Sequence, residues 1–162
     1  MESIAVNLVP PPDGRQSQTA LAVARGTARW LGSLGFSCIS ELPLPSGRRA
    51  DLVALNGRGD LWIIEIKSSV EDLRADHKWQ EYRAHCDRLF FAFPQDLPCE
   101  IFPAETGLIV ADAYGAHLHC EAPEHRLPAP RRKLMTVRFG MAAAQRINRL
   151  IDPQGYAFDD LA

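Results

Sequence analysis

The chain has 162 residues, 46% of them hydrophobic and 23% charged, with a formal net charge of −2. That usage suits one globular domain and excludes a disordered polymer, and no apolar run nears the ~18 residues of a membrane helix. The N-terminus lacks the basic start and long apolar core of a secretory signal, and Cys38, Cys86, Cys99 and Cys120 form no CxxC pair. A cytoplasmic protein with reduced thiols is therefore expected.

Residues 1–14 contain Pro10-Pro11-Pro12-Asp13-Gly14 and are expected to form an arm ahead of a domain over 15–151, with 152–162 as a tail. Leu21, Ala24, Ala28, Leu31 and Leu34 recur at helical spacing, which predicts a helix over 16–34 stopped by Gly35. Residues 36–44 read as a strand. The apolar runs 50–56 (ADLVALN) and 61–67 (LWIIEIK) flank Gly57-Arg58-Gly59-Asp60 and predict a hairpin, of which the Arg-Gly-Asp triplet is turn chemistry. Leu73, Trp79, Tyr82 and Cys86 share one side of a predicted second helix, with Glu71 or Asp72 near its N-terminal end. Residues 89–93 (LFFAF) suit a buried strand, and 107–111 and 116–120 bracket a turn to give two more. Past Pro123, Pro128 and Pro130 a final helix is predicted over 131–151. The order α-β-β-β-α-β, then further strands and a helix, indicates an α/β fold: a mixed sheet with helices packed on it.

Charge is unevenly spread. Residues 131–149 hold six basic side chains and no acid, and 15–29 hold three arginines and no acid, so a local basic surface for nucleic acid is compatible with the near-neutral total. The plainer reading makes both stretches solvated helical faces.

The hairpin carries the chemistry. If its loop is residues 57–59, paired residue numbers sum to 116, and Asp51 falls opposite Glu65. Directly opposed Cβ atoms lie about 4.5–5.5 Å apart, and like charges there repel. Strand alternation puts Lys67 on the same face as Glu65. A hard divalent cation resolves the conflict, because Mg²⁺ takes one or two carboxylates together with waters and phosphate oxygens. Lys67 beside it can orient the attacking water or offset charge developing on phosphate. The bland alternative is an exposed strand end with a solvated ion pair. His117-x-His119-Cys120 lacks a second ligand pair at zinc spacing and is expected to be ordinary strand alternation.

Asp51 followed by Glu65-Ile66-Lys67 resembles the Asp…Glu-x-Lys signature of the restriction-endonuclease-like, or PD-(D/E)XK, nuclease superfamily, and the flanking elements agree with its αβββαβ core. More narrowly, Gly47–Asp51 and Trp62–Ser69, with Lys78-Trp79, Cys86–Phe91 and Thr106–Ile109, resemble the MmcB family of bacterial DNA-repair proteins over residues 34–141. The resemblance implies a metal-dependent DNA endonuclease-like activity that hydrolyses phosphodiester bonds with Mg²⁺ or Mn²⁺. It makes Asp51, Glu65 and Lys67 catalytic, with Asp51, Glu65 and the main-chain carbonyl of Ile66 as metal ligands.

Many members of that superfamily carry a further acid on the first helix; residues 16–34 contain none, and Glu41 is the candidate substitute. Arg48, Arg49, Lys78, Tyr82, Arg131 and Arg132 are the candidate DNA contacts, with Lys78 and Tyr82 placed on one helical face by their i, i+4 spacing. DNA is the expected partner, without a membrane; a homodimer and repair-protein partners are compatible with this reading. The alternative function is a catalytically inactive DNA- or partner-binding module with the same fold, and the acid-free first helix keeps it open.

Overall fold

The computed structural model describes residues 17–155. The expected arm, residues 1–14, and the tail from residue 156 onward lie outside the described residues. The elements are α1 (Gln18–Ser33), β1 (Phe36–Pro43), β2 (Arg49–Asn56), β3 (Leu61–Ile66), α2 (Val70–Ala75), a 3-10 helix (Trp79–His85), β4 (Arg88–Phe93), a short 3-10 turn (Cys99–Ile101), β5 (Gly107–Ala111), β6 (Ala116–Cys120) and α3 (Ala129–Ile151).

Ser17 starts α1 by accepting a hydrogen bond from the Ala20 amide, satisfying one free donor of the first turn. Gly35, with φ of +83°, ends it at the predicted position, in a conformation that costs a residue with a Cβ. The β2–β3 hairpin turns on Gly59, whose φ is +85°. The Asn56 side chain accepts from the Arg58 and Asp60 amides at 3.0 Å each, and the Asn56 amide donates to the Asp60 carbonyl at 3.2 Å. Those bonds fix a three-residue loop, and therefore the register, since a one-residue slip would turn every side chain to the other face.

The six strands form one sheet in the order β1-β2-β3-β4-β5-β6. The β1–β2, β2–β3 and β5–β6 pairs are antiparallel, and β3–β4 and β4–β5 parallel, so the sheet is mixed as expected. Alternate side chains feed two cores. On one face Leu52, Ile64, Phe90 and Ile109 pack with Val23 and Leu31 of α1; on the other, Leu42, Val53 and Ile63 pack with Tyr82 of the 3-10 helix and Met135 and Phe139 of α3. Each such side chain contributes roughly 1.5–3 kcal/mol by leaving water. A third cluster lies under α2, where Leu73 meets Phe91, Phe93 and Phe102.

The predicted second helix is divided. Ser69 caps α2 by accepting from the Asp72 amide, and Asp72 accepts in return from the Ser68 amide, each at 3.1 Å. After six residues the chain leaves the helix at Asp76 and re-enters as a 3-10 helix at Trp79. The division sends Leu73 to the Phe91 cluster and Tyr82 and Cys86 to the α3 side, two destinations one straight helix cannot serve. At α3, Pro130 lies within the first turn, where its missing N–H goes unneeded, so the helix starts two residues before the predicted 131.

Gly26 of α1 lies against the β5–β6 turn: a Cβ built there would come within 1.9 Å of the Asp112 carbonyl oxygen. Gly26→Ala must therefore push backbone from backbone. We expect a loss of about 1–3 kcal/mol, read as a lower urea midpoint, whereas Gly32→Ala, which meets nothing within 4 Å, should be neutral or stabilising.

Candidate functional site

The β2–β3 ladder pairs Leu55 with Leu61 and Leu52 with Ile64, so the paired numbers sum to 116 as expected. Beyond Leu52 the carboxylates take over from the main chain. Glu65 Oε1 accepts from the Asp51 amide at 3.1 Å, and Asp51 Oδ2 accepts from the Ile66 amide at 2.7 Å. Asp51, Glu65 and Lys67 are thus together at one end of the hairpin, with Glu65 3% exposed and Lys67 6%.

Lys67 projects from the end of β3, where its amide donates to the Ala92 carbonyl at 2.9 Å. Its ammonium lies 2.8 Å from Asp76 Oδ2 and 5.8 Å from the centre of the Phe91 ring. Asp76 is a site residue that sequence reasoning missed. It ends α2, so the break in the predicted helix is what turns its carboxylate to the lysine.

The neighbouring registers Ser40 with Leu52 and Leu42 with Ala50 put Glu41 across from Asp51, giving one row Glu41, Asp51, Glu65 over three strands. Glu41 has φ of +52°, a left-handed backbone that costs a residue with a side chain about 1–3 kcal/mol. The Arg146 guanidinium of α3 holds this kink by donating to the Ser40 and Glu41 carbonyls. The Glu41 carboxylate is ion-paired with Arg49.

Electrostatics follow from the burial. Burial raises Asp51 to about 6, and the Glu41 charge adds to this against the Ile66 amide and Lys67, which lower it. Glu65 is held well above its ordinary value, first by burial and then by the Asp51 charge. Burial pulls the Lys67 ammonium down, but the Asp76 hydrogen bond and charge outweigh it and leave Lys67 above its ordinary value.

A carboxyl with a raised folded pKa binds more protons folded than unfolded. Asp51 therefore weakens the metal-free fold as pH rises from about 4 through about 6. Asp51→Asn removes that effect while keeping an acceptor for the Ile66 amide. We expect it to stabilise the metal-free protein by about 1–3 kcal/mol at pH 7.5 and by little at pH 4, read from urea midpoints.

These groups line a cleft of about 910 Å³ that runs from α1 across the ends of β1, β2 and β3 to Tyr82. Of the candidate DNA contacts, Arg48, Arg49 and Tyr82 line it. Arg48 is ion-paired with Glu81, and the buried Tyr82 hydroxyl donates to the Arg49 carbonyl at 3.2 Å.

The other three candidates stand away from the cleft. Lys78 is exposed ahead of the 3-10 helix, whose three residues per turn separate it from Tyr82; the expected shared face does not form. Arg131 Nη1 lies 3.3 Å from His85 Nδ1. Arg132 grips Asp87 with two hydrogen bonds of 2.6 and 2.7 Å and donates to the Gly59 carbonyl at 2.7 Å, which commits it to the fold. His117, His119 and Cys120 are exposed on β6. Among the described residues no three His, Cys, Asp or Glu donors group closely enough to hold a metal ion unaided.

The fold and site define an α/β domain with a carboxylate pair, Glu65 buried and Asp51 partly so, and a buried lysine at one end of a sheet. A model of the family described as DNA repair protein MmcB-like matches residues 7–154, and the chain belongs to that family. It is also similar to the solved structure of SPO1766, a protein of unknown function from Silicibacter pomeroyi. The two share 42% identity and a TM-score of 0.83 over 88% of this chain and 98% of that one. No curated protein matches. Among the described residues no helix is long and apolar enough to cross a membrane.

Proposed function

We propose that this protein is a metal-dependent DNA nuclease of the restriction-endonuclease-like class, acting in bacterial DNA repair. The observation that carries the reading is the Asp51–Glu65 pair: two adjacent carboxylates, Glu65 buried and Asp51 partly so, each raised by desolvation and by an acidic neighbour, at the floor of an open cleft. Burying two adjacent carboxylates without a cation is costly, and a hard divalent ion suits oxygen donors so placed. Membership of a DNA-repair family supplies the substrate class, and the αβββαβ order agrees with the fold.

Asp51, Glu65 and the main-chain carbonyl of Ile66 would hold Mg²⁺ or Mn²⁺, with Glu41 beside them. When bound, such an ion polarises a phosphoryl oxygen and lowers the pKa of coordinated water. Hydrolysis adds the water oxygen to phosphorus, breaks one P–O ester bond and returns a proton to the leaving oxygen. Lys67, kept as an ammonium by Asp76, places fixed positive charge where negative charge develops on the phosphate. Asp76 positions that charge, and the Phe91 ring closes it off from below.

Thermal melting tests the reading. Magnesium at about a hundred times its Kd should raise the Tm of the wild type by roughly 5–10 °C and leave that of Asp51→Ala unmoved. A wild-type Tm indifferent to millimolar Mg²⁺ and Mn²⁺ sinks it. A second reading, a non-catalytic DNA- or partner-binding module, is favoured by α1, which carries no acid to complete a larger ligand set. In that case DNA binds without cleavage in either metal.

A further inference from the structure

The cleft has two unlike halves. The half at the hairpin end carries five acids, Glu41, Asp51, Glu65, Asp72 and Asp76, against three bases, Arg48, Arg49 and Lys67. The half under α1 has no acid: Ala20, Ala24 and Ala28, spaced one turn apart, line it with Cys38 and Leu52. Arg25 stands on its wall, and Arg29, exposed like Arg25, follows one turn along a helix with no acidic residue.

We propose that the site takes DNA as an unpaired strand, with one nucleoside lodged in the half under α1 and its phosphate facing Asp51 and Glu65. The inference rests on the nuclease reading and adds the form of the substrate.

Access is the first reason. Glu65 and Lys67 are 3% and 6% exposed at the floor of the cleft, and duplex DNA, straight over ~150 bp, follows a recess only by costly bending or unpairing. A single strand turns at every nucleotide, and its bases need no unpairing.

Room and charge are the second. A volume of about 910 Å³ is at the upper end of the ~300–1,000 Å³ that accommodates ligand-sized groups. Alanine side chains leave that volume open on the α1 side, and their apolar surface suits the face of a base. The acidic half repels phosphate until its charge is neutralised. Arg48, Arg49 and Lys67 in that half are each ion-paired with an acid, so attraction of the backbone falls to Arg25 on the cleft wall, with Arg29 one turn beyond it on α1.

Fluorescence anisotropy with the full chain tests this in millimolar Ca²⁺, a hard oxygen-binding cation used in place of Mg²⁺ so that the probe is not cut, with labelled oligothymidylate and the same strand annealed to oligoadenylate. The single strand is expected to bind about tenfold or more tighter than the duplex. Ala24→Trp, which adds bulk on the α1 wall of the cleft and alters no carboxylate, should remove about tenfold of single-strand affinity and leave duplex binding and the Mg²⁺-dependent rise in Tm unchanged. Ala28→Trp gives the same test if Ala24→Trp fails to fold. Equal or tighter duplex binding overturns the proposal, as does unaltered single-strand affinity in the folded tryptophan variant. If wild-type Tm ignores Mg²⁺ while the tryptophan effect persists, the nuclease reading fails and the strand-binding cleft stands.

Discussion

Asp87→Ala is expected to lower the stability of the protein by about 3–5 kcal/mol. Asp87 is 1% exposed, and its carboxylate closes four hydrogen bonds: from the Leu61 and Leu127 amides at 2.8 Å each, and from both terminal nitrogens of Arg132. Its own main chain adds two more, donating to the Leu61 carbonyl and accepting from the His125 amide at 2.7 Å each. One residue therefore ties the β2–β3 hairpin, β4, the segment before α3 and α3 itself.

Burial alone would raise Asp87, but the Arg132 guanidinium and the two amides outweigh it and hold the carboxyl below its ordinary value. The folded state then binds fewer protons than the unfolded one. The stabilisation is present above about pH 4 and is lost as pH falls through the depressed folded value, the opposite sign to Asp51. Arg132→Ala should cost a similar amount, since it strands a buried carboxylate, and the double substitution should cost far less than the sum. Urea midpoints read all three. An Asp87→Ala loss under about 1 kcal/mol would mean that the node is replaceable by water.

Much of the site was legible from local chemistry. The loop Gly57–Gly59 and strict strand alternation were enough to put Asp51 against Glu65, because hairpin register depends on a few adjacent residues. What was not legible depended on contacts distant in sequence. Nothing at Asp76-His77-Lys78 is a Gly or Pro, so the apolar spacing of Leu73, Trp79, Tyr82 and Cys86 reads as one helix; the break follows from where those side chains pack. The threefold spacing of Trp79, Tyr82 and His85 was the available sign of a 3-10 turn.

The basic stretch on α3 shows the same difficulty in a different form. Composition reports that Arg131, Arg132, Arg138 and Arg146 share a helix, but their directions are set by partners on other elements. Arg132 meets Asp87, and Arg138 and Arg146 meet the carbonyls of Pro43 and of Ser40 and Glu41. Helical arginines without a nearby acid looked available for phosphate; main-chain carbonyls on β1 hold two of them. On the cleft wall Arg25 of α1 stands with Arg48 and Arg49, and its acid-free helix was visible in the sequence as a charge pattern without a motif.

Lys67→Met is expected to reduce Mg²⁺-dependent cleavage by about 10²–10⁴-fold while leaving DNA binding and the Mg²⁺-induced rise in Tm largely intact. Methionine keeps most of the length and of the packing against Phe91 and removes the ammonium, with its charge and its hydrogen bond to Asp76. Asp76 at 2.8 Å keeps the lysine an ammonium, so on the proposed nuclease reading it is not the proton acceptor and would contribute charge already in place when the phosphorus is attacked. Truncating one partner of a buried pair also leaves the other stranded, so Lys67→Met should lose stability through Asp76, whose side chain is 13% exposed. Lys67→Met combined with Asp76→Asn removes the stranded charge and should recover most of that stability without recovering cleavage. Asp51→Ala, by contrast, should lose cleavage and the Mg²⁺-induced Tm rise together, because the proposed reading makes Asp51 a ligand rather than a charge beside one. If the double variant cleaves within about threefold of the wild type, the ammonium is a structural partner of Asp76, and the charge that stabilises the transition state lies elsewhere in the cleft.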